Sequence, residues 1–220
     1  MFSAQKSKQF LLAAYLGVAS GILYNSWPLG YWLNPLVSRR GLASELQAMN
    51  QPYNWLFVLL DVISGLLVMI VALLLWRRSR YLAQKIALAT FAFFGVMTIV
   101  SAVVPMNCEP SLTVCPSLTQ QPLLLMHGIS SILASVSLFV SVCVMWWQKH
   151  QHKSAKLMSM VLVGWIAFGV VSTYFFFVPG PGYIAQHYYI TLCSLWIALL
   201  PFMVNVQVQP KRAPARVSNR

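Results

Sequence analysis

The chain has 220 residues, of which 59% are hydrophobic and only 8% charged, with a mean hydropathy of +0.69. No soluble domain of this length tolerates so apolar a surface, so the composition excludes a soluble enzyme and implies a polytopic membrane protein. The formal net charge of +12 sits in four short clusters beside apolar runs, without interleaved aromatics; that pattern suits anionic lipid headgroups and argues against nucleic acid.

Six stretches of about 20 residues, the length needed to cross the hydrocarbon core as a helix, fall at about 10–28, 53–76, 86–105, 123–147, 157–178 and 184–206. The expected fold is all-α, a single six-transmembrane-helix bundle over residues 1–220 with short loops. The first run continues through Ile22, Leu23 and Trp27, beyond the small residues Ala19, Ser20 and Gly21, which argues for a retained span and against a cleaved signal peptide. Basic residues in short loops stay on the cytoplasmic side. Lys6 and Lys8 precede the first span, Arg77, Arg78, Arg80 and Lys85 fill the second loop, Lys149, Lys153 and Lys156 the fourth, and Lys211, Arg212, Arg216 and Arg220 the tail. Only Arg39 and Arg40 fall opposite, so the expected topology is N-in/C-in, in a bacterial or archaeal cytoplasmic (inner) membrane.

Asp61 is one of three acidic residues in the chain and lies inside the run Tyr53 to Trp76, where an unpaired carboxylate is costly. Roughly nine residues into its helix, it would lie about 13 Å below the outer surface. Ser64 shares its face and could donate to it. His127 opens the fourth span with Ser130 and Ser131 one turn on; Gln186, His187, Tyr188 and Tyr189 open the sixth. Tyr24, Asn25 and Ser26 end the first span on the same side, Thr173 and Tyr174 the fifth, and Glu45, Arg39 and Arg40 stand in the first outer loop. Together they predict a polar pocket opening outward between the second, fourth and sixth spans.

Each of these residues also has a plainer role. Asp61 could be an interhelical latch to His127, His187 or an Arg, with His127 or Ser64 the favoured polar partner and an outer-loop Arg next. His127 could be a hydrogen-bonded packing residue, and Tyr188 and Tyr189 part of the interfacial aromatic belt. Glu45 with Arg39 or Arg40 could be an exposed loop salt bridge, and His150 and His152 solvated loop residues. Cys143 and Cys193, inside spans, read as packing residues. No phosphate loop, HExxH, GxSxG or HxxxH pattern occurs. Asp61, His127 and His187 are the one set that could hold zinc, but no metal or cofactor is expected.

The sequence Ser44-Glu45-Leu46, Asn50-Gln51-Pro52, Leu56-Phe57 and Asp61-Val62-Ile63-Ser64-Gly65 resembles the outer-loop and second-helix signature of a bacterial and archaeal six-helix membrane family of unknown function, distantly similar to the DRAM-like membrane proteins. Pro105 with Cys108, His127 with Ser130 and Ser131, and Gly182, Gln186 and Trp196 extend the resemblance over most of the chain. Two positions depart from the family pattern: Asn107 stands where an acidic residue is common, and His187 where relatives often carry Arg. The resemblance implies the six-helix fold and no particular activity.

The functional expectation is an integral inner-membrane protein that binds or handles a lipid or other amphiphile through Glu45, Asp61, Ser64, His127, Ser130, Ser131 and His187. The alternatives are an intramembrane hydrolase using Asp61 and His127, with or without a metal, and a non-catalytic accessory or scaffold subunit. Membrane lipids are the expected partners, alongside a second copy of the chain or another membrane protein. Cys108 and Cys115 share an outer loop with six residues between them, so a disulfide is expected there. Non-reducing mass analysis should find the two linked; free alkylation of both thiols in protein kept oxidised would refute the pairing.

Overall fold

The structure, a computed structural model, describes residues 2–79, 81–104, 106–107, 122–149, 162–166, 169–170 and 182–204. The regular elements among them are helices: α1 (Phe2–Tyr24), α2 (Trp27–Leu33), α3 (Pro35–Arg40), a 3-10 turn at Ala43–Gln47, α4 (Asn54–Trp76), α5 (Leu82–Val103), α6 (Pro122–Lys149) and α7 (Gly182–Met203). The described residues 162–166 and 169–170 of the expected fifth span are also helical. Cys108 and Cys115, and with them the expected disulfide, lie outside the described residues.

α4 shows how composition becomes a span. Leu59, Leu66, Ile70 and Leu73 are exposed, whereas Phe57, Ser64, Val68, Val71, Ala72 and Leu75 are buried. The two sets follow helical spacing on different faces, one toward the surrounding medium and one into the bundle. Exposed Leu and Ile at this density suit hydrocarbon and not water. Trp55 and Trp76, both exposed, close the ends of this helix and stand about 31 Å apart at 1.5 Å per residue, close to the thickness of a bilayer core. Amphipathic indole rings favour the two membrane interfaces. Among the described residues, α4, α5 and α6 are long and apolar enough to cross a membrane, and α1 with α2 makes a fourth span if that bent pair is counted as one.

The bend between α1 and α2 is 41°. Pro28 in the first turn of α2 and Pro35 in the first turn of α3 have no N–H to donate and suit helix starts, so the chain is restarted twice. The segment expected to be a simple outer loop is therefore mostly helical. Tyr53, with φ 60°, is the left-handed residue that turns the chain into α4. Met49 N–H donates to the Met106 carbonyl at 2.8 Å, tying this segment to the end of α5.

Packing runs in the order α7, α1, α4, α5, α6, and small residues set the closest approaches. A Cβ on Gly65 would stand 2.6 Å from the Gly95 carbonyl oxygen, and one on Gly21 would stand 2.6 Å from that of Ser194. Gly17 and Gly21, four residues apart on α1, both face α7, which is how a small-xxx-small pattern lets membrane helices approach. Ser20 and Ser64 exchange bonds across the α1–α4 seam: each hydroxyl donates to the other residue's carbonyl oxygen at 3.0 Å, with the two hydroxyls 2.9 Å apart. Gly65→Ala should therefore lower stability by about 1–3 kcal/mol through forced separation of α4 and α5. Gly164→Ala, whose new Cβ meets among the described residues only Leu192 Cδ1 at 3.4 Å, should be nearly neutral; thermal scans of both variants in one detergent at one scan rate compare them.

Candidate functional site

A cavity of about 570 Å³ lies inside the bundle. Its lining comes from α1 (Tyr24), α2 (Trp27), the 3-10 turn and its entry (Ala43, Ser44, Leu46, Gln47), α4 (Phe57, Asp61), α5 (Thr98, Ser101), α6 (His127 to Phe139), the described residues of the fifth span (Trp165, Ile166, Gly169, Val170) and α7 (Gln186, Tyr189, Ile190). Chemistry varies with depth. Ser44, Gln47, Asp61, Ser101, His127 and Gln186 belong to the 3-10 turn or to the helix ends beside it, whereas Ile132, Val136 and Phe139 descend along α6. From His127 to Phe139 the lining descends about 18 Å along that helix at 1.5 Å per residue. Ile132, Val136, Ile166 and Val170 line the cavity and are each more than 40% exposed, which makes this flank apolar on both sides.

Asp61 faces the cavity and not the lipid. Its Oδ2 accepts a hydrogen bond of 2.6 Å from Gln47 Nε2, in place of the expected partners His127, Ser64 or an outer-loop Arg. Ser64 is unavailable because it is committed to Ser20 on α1. Gln47 reaches Asp61 because the first loop folds back over the bundle as a 3-10 turn, with the Leu42 N–H donating to Glu45 Oε1 at 3.1 Å to fix its start. Ala43 N–H donates to Gln186 Oε1 at 2.6 Å, so α7 holds the same turn from the other side.

His127, 2% exposed, is oriented by the Ser101 carbonyl, which accepts from Nδ1 at 2.8 Å. That bond places the proton on Nδ1, so in the neutral ring Nε2 is an acceptor. The Val104 carbonyl also lies beside the ring, but Nε2 has no partner of hydrogen-bond geometry among the described residues. Ser101 Oγ lies 2.7 Å from Ser131 Oγ, and the buried Thr98 Oγ1, one turn back along α5, is likewise without a partner there. Two of the buried polar atoms left over by the fold therefore belong to side chains that line this cavity.

The remaining expected site residues separate from it. His187 stacks on Trp27, ring centroids 4.2 Å apart and planes 4° from parallel, with Tyr31 edge-on at 6.5 Å; it is an aromatic packing residue that fixes α2 on α7. Asp61, His127 and His187 accordingly form no metal-binding group among the described residues. Ser130 returns its hydroxyl to the Met126 and His127 carbonyls at 2.9 Å, and Glu45 is buried in the 3-10 turn instead of exposed. Tyr188 is exposed, as a belt residue would be, but Tyr189 is buried and lines the cavity, its hydroxyl accepting from Trp165 Nε1 at 3.2 Å. Sequence reasoning missed Gln47, Thr98 and Ser101. The last two carry a legible signal, since polar residues three apart on an apolar helix share a face; Gln47 carries none, because its reach depends on the fold of the loop.

These features define a multi-pass helical membrane protein with an internal cavity, polar at one end. A family profile described as "Protein of unknown function (DUF998)" matches residues 17–205, and the chain belongs to that family. No curated protein and no solved structure matches the chain.

The Gln47–Asp61 bond can be weighed by a double-mutant cycle. Gln47→Leu leaves the carboxylate without its donor and should destabilise by about 1–3 kcal/mol. Asp61→Asn retains an acceptor oxygen for Gln47 and should change stability less. Gln47→Leu with Asp61→Leu should recover part of the first loss, because both polar partners are then gone; unfolding in a common detergent reads all three.

Proposed function

We propose that this protein binds an amphiphile in the cavity, headgroup toward Asp61 and His127 and alkyl chain toward Phe139. The observation that carries the reading is the cavity itself, with the side chains of Asp61 and His127 at one end of its lining and Ile132, Val136 and Phe139 along α6. An apolar pocket with a few convergent polar groups is the usual form of a small-molecule site. In the six-span, N-in/C-in arrangement that the basic residues favour, the polar end faces the periplasmic or external side of a bacterial or archaeal inner membrane.

The two alternatives draw less support. A hydrolase needs a nucleophile, a base and an orienting group in mutual contact, whereas Asp61 is bonded to Gln47 and His127 to the Ser101 carbonyl. An accessory subunit requires only the bundle and gives no reason for buried polar atoms facing a cavity.

Protein extracted with native lipid retained should carry a bound amphiphile detectable by native mass spectrometry. Ser135→Phe, which fills the cavity from α6, should remain folded by size-exclusion chromatography and lose it. Retention of the same molecule by the filled variant would overturn the site. Cysteine labelling should find Ser44 accessible from the external side, and labelling from the cytoplasm alone would overturn the orientation.

A further inference from the structure

The charge of the cavity restricts what it can hold. Among the described residues no Lys or Arg lines it, and the one charged group in that lining is the Asp61 carboxylate. Gln47 occupies Oδ2, and Oδ1 makes no hydrogen bond among the described residues. The described part of the headgroup end therefore offers a carboxylate oxygen and no cation. An anionic headgroup there would meet an unneutralised carboxylate in a poorly solvated place, where like charges repel strongly. An ammonium group has three donors and no acceptor, which complements the carboxylate oxygen, and its charge offsets the cost of burying Asp61.

Resting on the amphiphile-binding reading above, we infer that the ligand is an amphiphile with a protonated amine head, paired to Asp61 through Oδ1.

The test uses the full-length protein in phosphatidylcholine nanodiscs, titrated with dodecylamine, dodecanol and dodecanoate, which share one chain and differ in head charge. Emission from Trp27 and Trp165, both in the lining, reports occupancy against empty nanodiscs. Dodecylamine should bind at least about tenfold more tightly than dodecanoate, the ratio that about 1.4 kcal/mol produces, and more tightly than dodecanol. Asp61→Asn should collapse the amine-to-alcohol ratio toward unity, with its fold checked by size-exclusion chromatography. Dodecanoate matching dodecylamine in the wild type would overturn the inference without need of the variant, as would an amine preference that survives Asp61→Asn. Saturable dodecanol or dodecanoate binding that Ser135→Phe abolishes, with no amine preference, would overturn the inference alone and leave the amphiphile site standing. Absence of saturable binding by all three would remove both.

Discussion

Inside a bilayer no water is on hand to satisfy a polar group, so each one must find its partner within the protein. The bundle obeys this closely. Ser20 and Ser64 satisfy each other across α1 and α4, and Thr90, Ser130, Ser137, Thr191 and Ser194 return their hydroxyls to carbonyls of the preceding turn. Gln47 and Asp61 join a loop to a span. Because satisfaction is the rule, the exceptions among the described residues are informative: His127 Nε2 and Thr98 Oγ1 are buried atoms of side chains that line the cavity, while Gln84 and Gln148 sit at the opposite ends of their helices, away from it.

The same constraint explains why the helices are close on one side and apart on the other. Gly17, Gly21, Gly65 and Gly95 let α7, α1, α4 and α5 approach until backbone meets backbone, replacing side-chain volume by dispersion contacts between main chains. Among the described residues α6 meets α5 broadly but α7 sparsely, and the cavity lies between α6 and α7 beside the described residues of the fifth span. An empty apolar cavity forfeits contacts on every wall. A bound alkyl chain restores them, so occupancy and stability are linked through the same surface.

The membrane class, the helical fold and the interior placement of Asp61 and His127 were legible because a polar residue inside an apolar run stands out and depth follows from helical rise. Partners were less legible. Asp61 and Ser64 share a face, yet Ser64 is drawn to Ser20 by the close α1–α4 seam, and periodicity within one helix says nothing of which helix lies opposite. His187 looked like a ligand by residue type but meets Trp27, 160 residues earlier, because the two prolines after Tyr24 turn α2 toward α7. Tyr188 and Tyr189 are adjacent in sequence and about 100° apart around the helix, so one faces outward and the other the cavity; composition alone cannot divide them. The first helix ends at Tyr24, within the expected end at Tyr24 to Ser26, and the helical restarts beyond it follow Pro28 and Pro35, which favour new helix starts.

The two ends of the cavity differ in what it takes to open them. The polar end is capped by the folded first loop, which is held to α4 by Gln47–Asp61, to α7 by Ala43–Gln186 and to the end of α5 by Met49–Met106. Lifting that cap would break bonds to three helices together, one of them to a carboxylate that would then lack a donor. The flank framed by Ile132, Val136, Ile166 and Val170 presents only apolar side chains, and parting it exposes them to lipid tails as apolar as themselves. For the proposed amphiphile this flank is therefore the easier way in. Were its alkyl chain to enter there, the capped end could stay closed while its carboxylate received the headgroup, and the bond that holds the loop and the atom that would read the ligand would be the two oxygens of one side chain.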